Sequence, residues 1–153
     1  MTWEQGQATI EQLLHRGELE TVTAQPEFAE RSSELCETHI VAARMIVGED
    51  PVGALALAYD AARKVFTSLL LAQGIRPTRS GGHIAVTEAA SAQLDPPNRI
   101  GRQVDRPRRA RNDNEYPSVD TPSATADDAR DAIAVAQEAV RAARLVLPHL
   151  TPF

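Results

Sequence analysis

Apolar residues return every three or four positions along nearly the whole chain, the repeat of an amphipathic helix. The strict alternation of a half-buried strand is absent, which restricts the chain to helical folds. The clearest run is Leu55, Tyr59, Ala62, Phe66 and Leu69/Leu70, opened by Asp50-Pro51 and stopped by Gly74. A first helix is expected from about Trp3 to His15, with Ile10, Leu13 and Leu14 on one side. Pro26 suits the first turn of a second, whose inward residues would be Phe28, Leu35, Ala42 and Ile46, ending at Gly48.

The stretch Arg76 to Gly82 reads as a loop by its Pro and Gly content, and a fourth helix opens near His83 and fades at Asp95-Pro96-Pro97. Arg99 to Asp105 forms a fifth segment. Proline inside a helix costs ~3 kcal/mol, so a break is expected near Arg106, with a new short helix from Pro107 to about Glu115. Tyr116-Pro117 ends it, since the residue before proline is pushed out of the α region. Thr125-Ala126-Asp127-Asp128 opens the last helix as a capping box with aspartate in place of glutamate. Its buried stripe would be Ala129, Ile133, Ala136, Val140, Ala143 and Leu147, and Pro148 closes it. The expected class is all-α, an up-and-down antiparallel bundle of four main helices with short extra helices.

The 153 residues match one domain, expected over 1–153 with its core at about 28–147. A composition 42% hydrophobic and 24% charged excludes wholesale disorder. Aromatics are 4% of the chain, so the core must rest on Ala, Leu, Val and Ile. No apolar run approaches the ~18 residues of a membrane span, and the start lacks a basic, then apolar, leader. A cytoplasmic protein is expected. The lone Cys36 excludes an internal disulfide, and His15, His39, His83 and His149 lack metal-ligand spacing. No phosphate-binding loop or dinucleotide fingerprint is present, so neither metal nor cofactor is expected.

Charge is unevenly spread. From Arg99 to Arg111 six arginines and one aspartate give a local +5 inside a chain of net −5. That pattern suits one local anion site rather than a general coat for nucleic acid. Two constellations could form it. On a helix Arg108, Arg111, Asn112 and Glu115 share a face, followed by the phenol of Tyr116, and guanidinium groups match phosphate oxygens as a fork. The competing reading is a solvated Arg111–Glu115 ion pair, which the bare spacing favours. The second constellation is Gly81-Gly82-His83, where free N–H groups at a helix start attract anions and a histidine can donate a proton. Its competing reading is a plain turn with His83 packed locally.

Three features in chain order resemble the HEPN superfamily (higher eukaryotes and prokaryotes nucleotide-binding domain). The helix Tyr59-Asp60-Ala61-Ala62-Arg63-Lys64 with Leu69-Leu70-Leu71-Ala72-Gln73-Gly74 is similar to the family's long second core helix. The loop ending in Gly82-His83 resembles the turn whose histidine opens the following helix. Arg111-Asn112-Asp113-Asn114-Glu115-Tyr116 resembles the signature of arginine, a polar residue, three variable residues and histidine, with Tyr116 in the histidine's place.

The resemblance implies a homodimer that gathers this segment from two protomers and binds RNA or a nucleotide. It implies a metal-independent ribonuclease in which a 2′-hydroxyl attacks the adjacent phosphate, in a toxin–antitoxin or phage-defence setting. Arg111 would clamp the phosphate, Asn112 would orient backbone or substrate, and Tyr116 would take the acid/base position, with Glu115 or His83 as substitute base and Arg108 assisting binding. A nucleotidyltransferase-type antitoxin is the implied partner. A catalytically silent HEPN module and a plain helical interaction protein are the alternatives. Tyrosine titrates near ~10 and histidine near ~6.5, so this one position separates turnover from binding.

Overall fold

The computed structural model describes residues 4–95 and 99–153. The elements in order are α1 (Gln7–His15), β1 (Leu19–Thr21), α2 (Pro26–Ile46), α3 (Pro51–Ala72), β2 (Ile75–Pro77), α4 (Gly82–Leu94), α5 (Ile100–Glu115) and α6 (Ala126–Val146). A 3₁₀ turn, Leu147–His149, follows. The chain is 71% helical, an all-α bundle. The expected starts at Trp3 and the fade at Pro96-Pro97 lie outside the described residues.

α3 is the axis of the bundle. Leu55, Tyr59, Ala62, Phe66, Leu69 and Leu70 are all buried, as their spacing predicts. α2, α4, α5 and α6 all pack on it. Alanines at Ala54, Ala58, Ala61 and Ala62 let the neighbouring backbones approach, so a core poor in aromatics still closes around Phe66. Asp50 begins the helix by accepting the Gly53 N–H at 2.8 Å. Gly74 ends it with φ +76°, and a Cβ there would lie 2.6 Å from the Val22 carbonyl oxygen. α6 follows its predicted stripe from Ala129 to Ala143, while Leu147 falls in the 3₁₀ turn and is half-buried. The Thr125/Asp128 capping box is closed in both directions.

Four expectations are corrected. The strandless reading misses a two-stranded antiparallel ribbon, with Glu20 opposite Arg76 and Leu19 opposite Pro77. Arg76 and Pro77 therefore lie in a strand rather than a loop. Strands of three residues are too short to show alternation. Arg76 Nε donates to Glu20 Oε1 at 2.6 Å across the ribbon.

The break near Arg106 does not occur. α5 runs unbroken with Pro107 inside it, buried on the stripe Ile100, Val104, Pro107. The proline ring borders a cleft with Leu55 of α3 and Val135 of α6, and this burial offsets the lost backbone bond. Asp95 anchors the start of α5 by accepting the Ile100 N–H at 2.6 Å and the Gly101 N–H at 3.2 Å.

α2 is turned by one residue from the expected face. Ala29, Cys36, Ile40 and Ala43 point inward, whereas Phe28 and Leu35 are exposed and Ala42 and Ile46 are half-buried. Small residues win the inward face because α2 lies close against α3: the Cys36 thiol donates to the Ala61 carbonyl at 3.3 Å.

The backbone donors expected at Gly81-Gly82 are occupied. Gly81 N–H donates to Thr78 Oγ1 at 3.3 Å and Gly82 N–H to the Thr78 carbonyl at 3.0 Å.

Candidate functional site

One turn beyond Pro107, the inward stripe of α5 reaches Arg111. An apolar residue there would simply extend the core. The arginine instead lays its guanidinium over the ring of buried Tyr59, 5.5 Å from the centroid. Its Nη2 lies 2.7 Å from Glu115 Oε1, and its side chain remains only one-third exposed. The ion-pair reading of Arg111 and Glu115 is thus correct as geometry, but the pair sits at the mouth of a cluster rather than on an open face.

The other members come from α3 and α4. Asp60, next to Tyr59, accepts from Arg63 Nη2 at 2.6 Å and from Lys64 Nζ, and its Oδ2 lies 3.8 Å from His39 Nδ1. Burial alone would raise the Asp60 carboxyl, but the hydrogen bonds from Lys64 and Arg63 outweigh it and hold the group below the usual carboxylate range. Burial pushes the Tyr59 phenol up, opposed by the charges of Arg63, Arg111 and Arg108. His83 opens α4 at the rim. Partial burial, then the charges of Arg63 and Arg111, depress its imidazole below the ordinary histidine value, and Asp60 opposes them. The same two arginines therefore act on both Tyr59 and His83, which puts side chains of α3, α4 and α5 within electrostatic reach of one another.

Of the residues singled out from sequence, Arg111, Glu115 and His83 belong to this cluster. Arg108 is half-buried nearby, and its Nε and Nη2 donate to Asp105 Oδ1 at 3.0 and 2.6 Å. Asn112 is exposed. Tyr116 caps the end of α5 with its side chain 80% exposed. Within one protomer the phenol is therefore not packed into the cluster. Periodicity assigned Tyr59 to the core and gave Asp60 and Arg63 no role. The readable signal was three consecutive-turn charges, Asp60, Arg63 and Lys64, interrupting the most apolar helix.

Two of the four remaining arginines of the 99–111 segment, Arg106 and Arg109, stand in ion pairs. Arg106 reaches Asp128 and Asp131 at 3.6 Å each, and Arg109 Nε lies 2.8 Å from Asp105. Among the described residues, no group of three His, Cys, Asp or Glu side chains is placed to hold a metal ion, and no helix is long and apolar enough to cross a membrane.

The family model for the HEPN domain matches residues 37–146, from the middle of α2 to the end of α6. That span covers more than half of the chain and contains every member of the cluster. The chain belongs to the HEPN family. HEPN domains are associated with nucleotide and RNA binding and with ribonuclease activity, and they often dimerise. No curated protein and no solved structure gives a significant match. In this HEPN domain the matched region begins after the first part of α2, so α1, β1 and the start of α2 lie outside it.

Proposed function

We propose that this HEPN domain binds RNA at the Arg111 cluster and cleaves it by metal-independent phosphodiester chemistry, as the toxin of a toxin–antitoxin or phage-defence system. The observation that carries the reading is the placement of Arg111, held on the Tyr59 ring beside Arg63 and His83. A guanidinium fixed by stacking loses little freedom when it takes a phosphate, and a second arginine adds to the pull on its charge. Glu115 is the exchangeable partner, displaced when phosphate oxygens take the fork.

The chemistry needs a base, an anion clamp and an acid. The RNA 2′-hydroxyl attacks the adjacent phosphorus, and its proton passes to the His83 imidazole, which its depressed pKa keeps neutral at pH 7. Arg111 and Arg63 stabilise the charge that builds on the phosphoryl oxygens. The P–O5′ bond breaks, leaving a 2′,3′-cyclic phosphate and a 5′ oxygen that takes a proton. Tyr116 supplies that proton from a second protomer, the role that fits its exposure in its own chain. Asn112 and Arg108 orient the RNA backbone. The proposal thus includes a homodimer joined through the α5 faces, held in check by a nucleotidyltransferase-type antitoxin.

A second reading, a silent module that binds RNA or nucleotide without turnover, is favoured by the same exposed Tyr116, because within one chain that phenol is not packed into the Arg111 cluster. The deciding experiment incubates structured RNA with the purified protein in EDTA, beside Arg111→Ala. Cleavage by the parent and its loss in the variant are expected. Arg111-dependent binding without cleavage selects the silent module, and RNA binding unchanged by Arg111→Ala overturns the phosphate clamp.

A further inference from the structure

Beside the cluster, α2 and α3 enclose an open groove of about 470 Å³, lined by Phe28, Arg31 and Leu35 of α2 and by Arg63, Lys64 and Thr67 of α3. Arg63 lines this groove and stands one helical turn from Tyr59, on whose ring Arg111 lies, so the groove adjoins the cluster. The turn of α2 by one residue leaves Phe28 (40% exposed) and Leu35 (46%) on the groove instead of in the core. Arg31 is exposed and makes no ion pair among the described residues. Asp60, the carboxylate at the inner end, is already shared by Arg63 and Lys64. Glu27 and Glu34, both exposed, stand one turn to either side of Arg31 on α2, and Glu30 lies farther round the helix.

We infer that this groove is a second RNA subsite, where the base of a nucleotide farther along the strand, beyond the two nearest Arg111, stacks on Phe28 and its phosphates lie against Arg31 and Lys64. The inference rests on the RNA-binding reading above and extends the strand path away from the clamp. An apolar peptide would leave the cationic wall without counter-charge. A strand carrying flat bases and a charge at every link meets both halves of the groove, and base–aromatic stacking does not require a particular sequence.

The test measures fluorescence anisotropy with 2′-O-methyl oligonucleotides, which cannot be cleaved, as a dinucleotide and an octanucleotide. The parent protein is expected to bind the octanucleotide more tightly. Phe28→Leu, which keeps apolar volume without an aromatic face, is expected to weaken octanucleotide binding about tenfold and leave the dinucleotide unchanged, and Phe28→Trp is expected to retain the gain. Arg31→Ala is expected to flatten the salt dependence for the octanucleotide only, by roughly 0.7 in the log–log slope. If Phe28→Leu and Arg31→Ala keep the full length-dependent gain, the subsite is wrong while the Arg111 clamp stands. If the parent binds neither oligonucleotide, the clamp itself fails. An octanucleotide no tighter than the dinucleotide also overturns the subsite.

Discussion

Arg111 stands where an apolar side chain would finish the stripe Ile100, Val104, Pro107, and so puts a cation paired with Glu115 at the end of the core. The Tyr59 ring and the Glu115 carboxylate make that position tolerable for a cation, but Glu115 competes with any phosphate for the same fork. Glu115→Gln is therefore expected to tighten RNA binding about twofold, the worth of an (i, i+4) ion pair, when titrated at low salt. Unchanged or weaker binding would mean that Glu115 does not compete.

His83 offers a second check. Arg63 and Arg111 disfavour its protonated form, so its NMR titration midpoint is expected below ~6.5 and should rise in Arg111→Met. In the proposed mechanism the neutral imidazole is the base, so cleavage is expected to climb with pH through that depressed midpoint. A rate indifferent to His83→Ala would remove the imidazole from the mechanism.

Among the helices, α3 and α6 follow their sequence closely because each carries one dominant apolar face with a defined start. α2 does not. Its candidate faces differ by a single residue, and close packing against the alanines of α3 selects the one bearing small side chains, a choice local periodicity does not contain. α5 shows the reverse conflict, a local rule against Pro107 overridden by burial of the ring. Pro107→Ala is expected to restore a donor for the Gln103 carbonyl and raise stability by about 1 kcal/mol, the helix gain exceeding the small cavity left behind, as read from the thermal midpoint. A lower midpoint would show that the ring's packing outweighs its helix-breaking cost.

For the assembled protein, the separation of Tyr116 from Arg111 is the central fact. One chain stacks Arg111 on Tyr59 but leaves the Tyr116 phenol at the exposed end of α5. In the proposed mechanism a second copy supplies Tyr116. The protein is expected to sediment as a dimer at micromolar concentration. A monomer that still cleaves RNA would require the leaving oxygen to be protonated by water or by a group within one chain.

The helices, their main stops and the segment Arg111 to Tyr116 are legible along the chain because periodicity, caps and charge spacing act over a few residues. The grouping of Tyr59, Arg63 and His83 around Arg111 is not, since those side chains lie on three helices and meet only when α3 packs at the axis. The same packing turned Phe28 and Leu35 outward, took the Gly81 and Gly82 N–H groups for Thr78, and left Tyr116 in solvent. Local interactions set each helix; competition between faces for one small-residue interior set which side chains could meet.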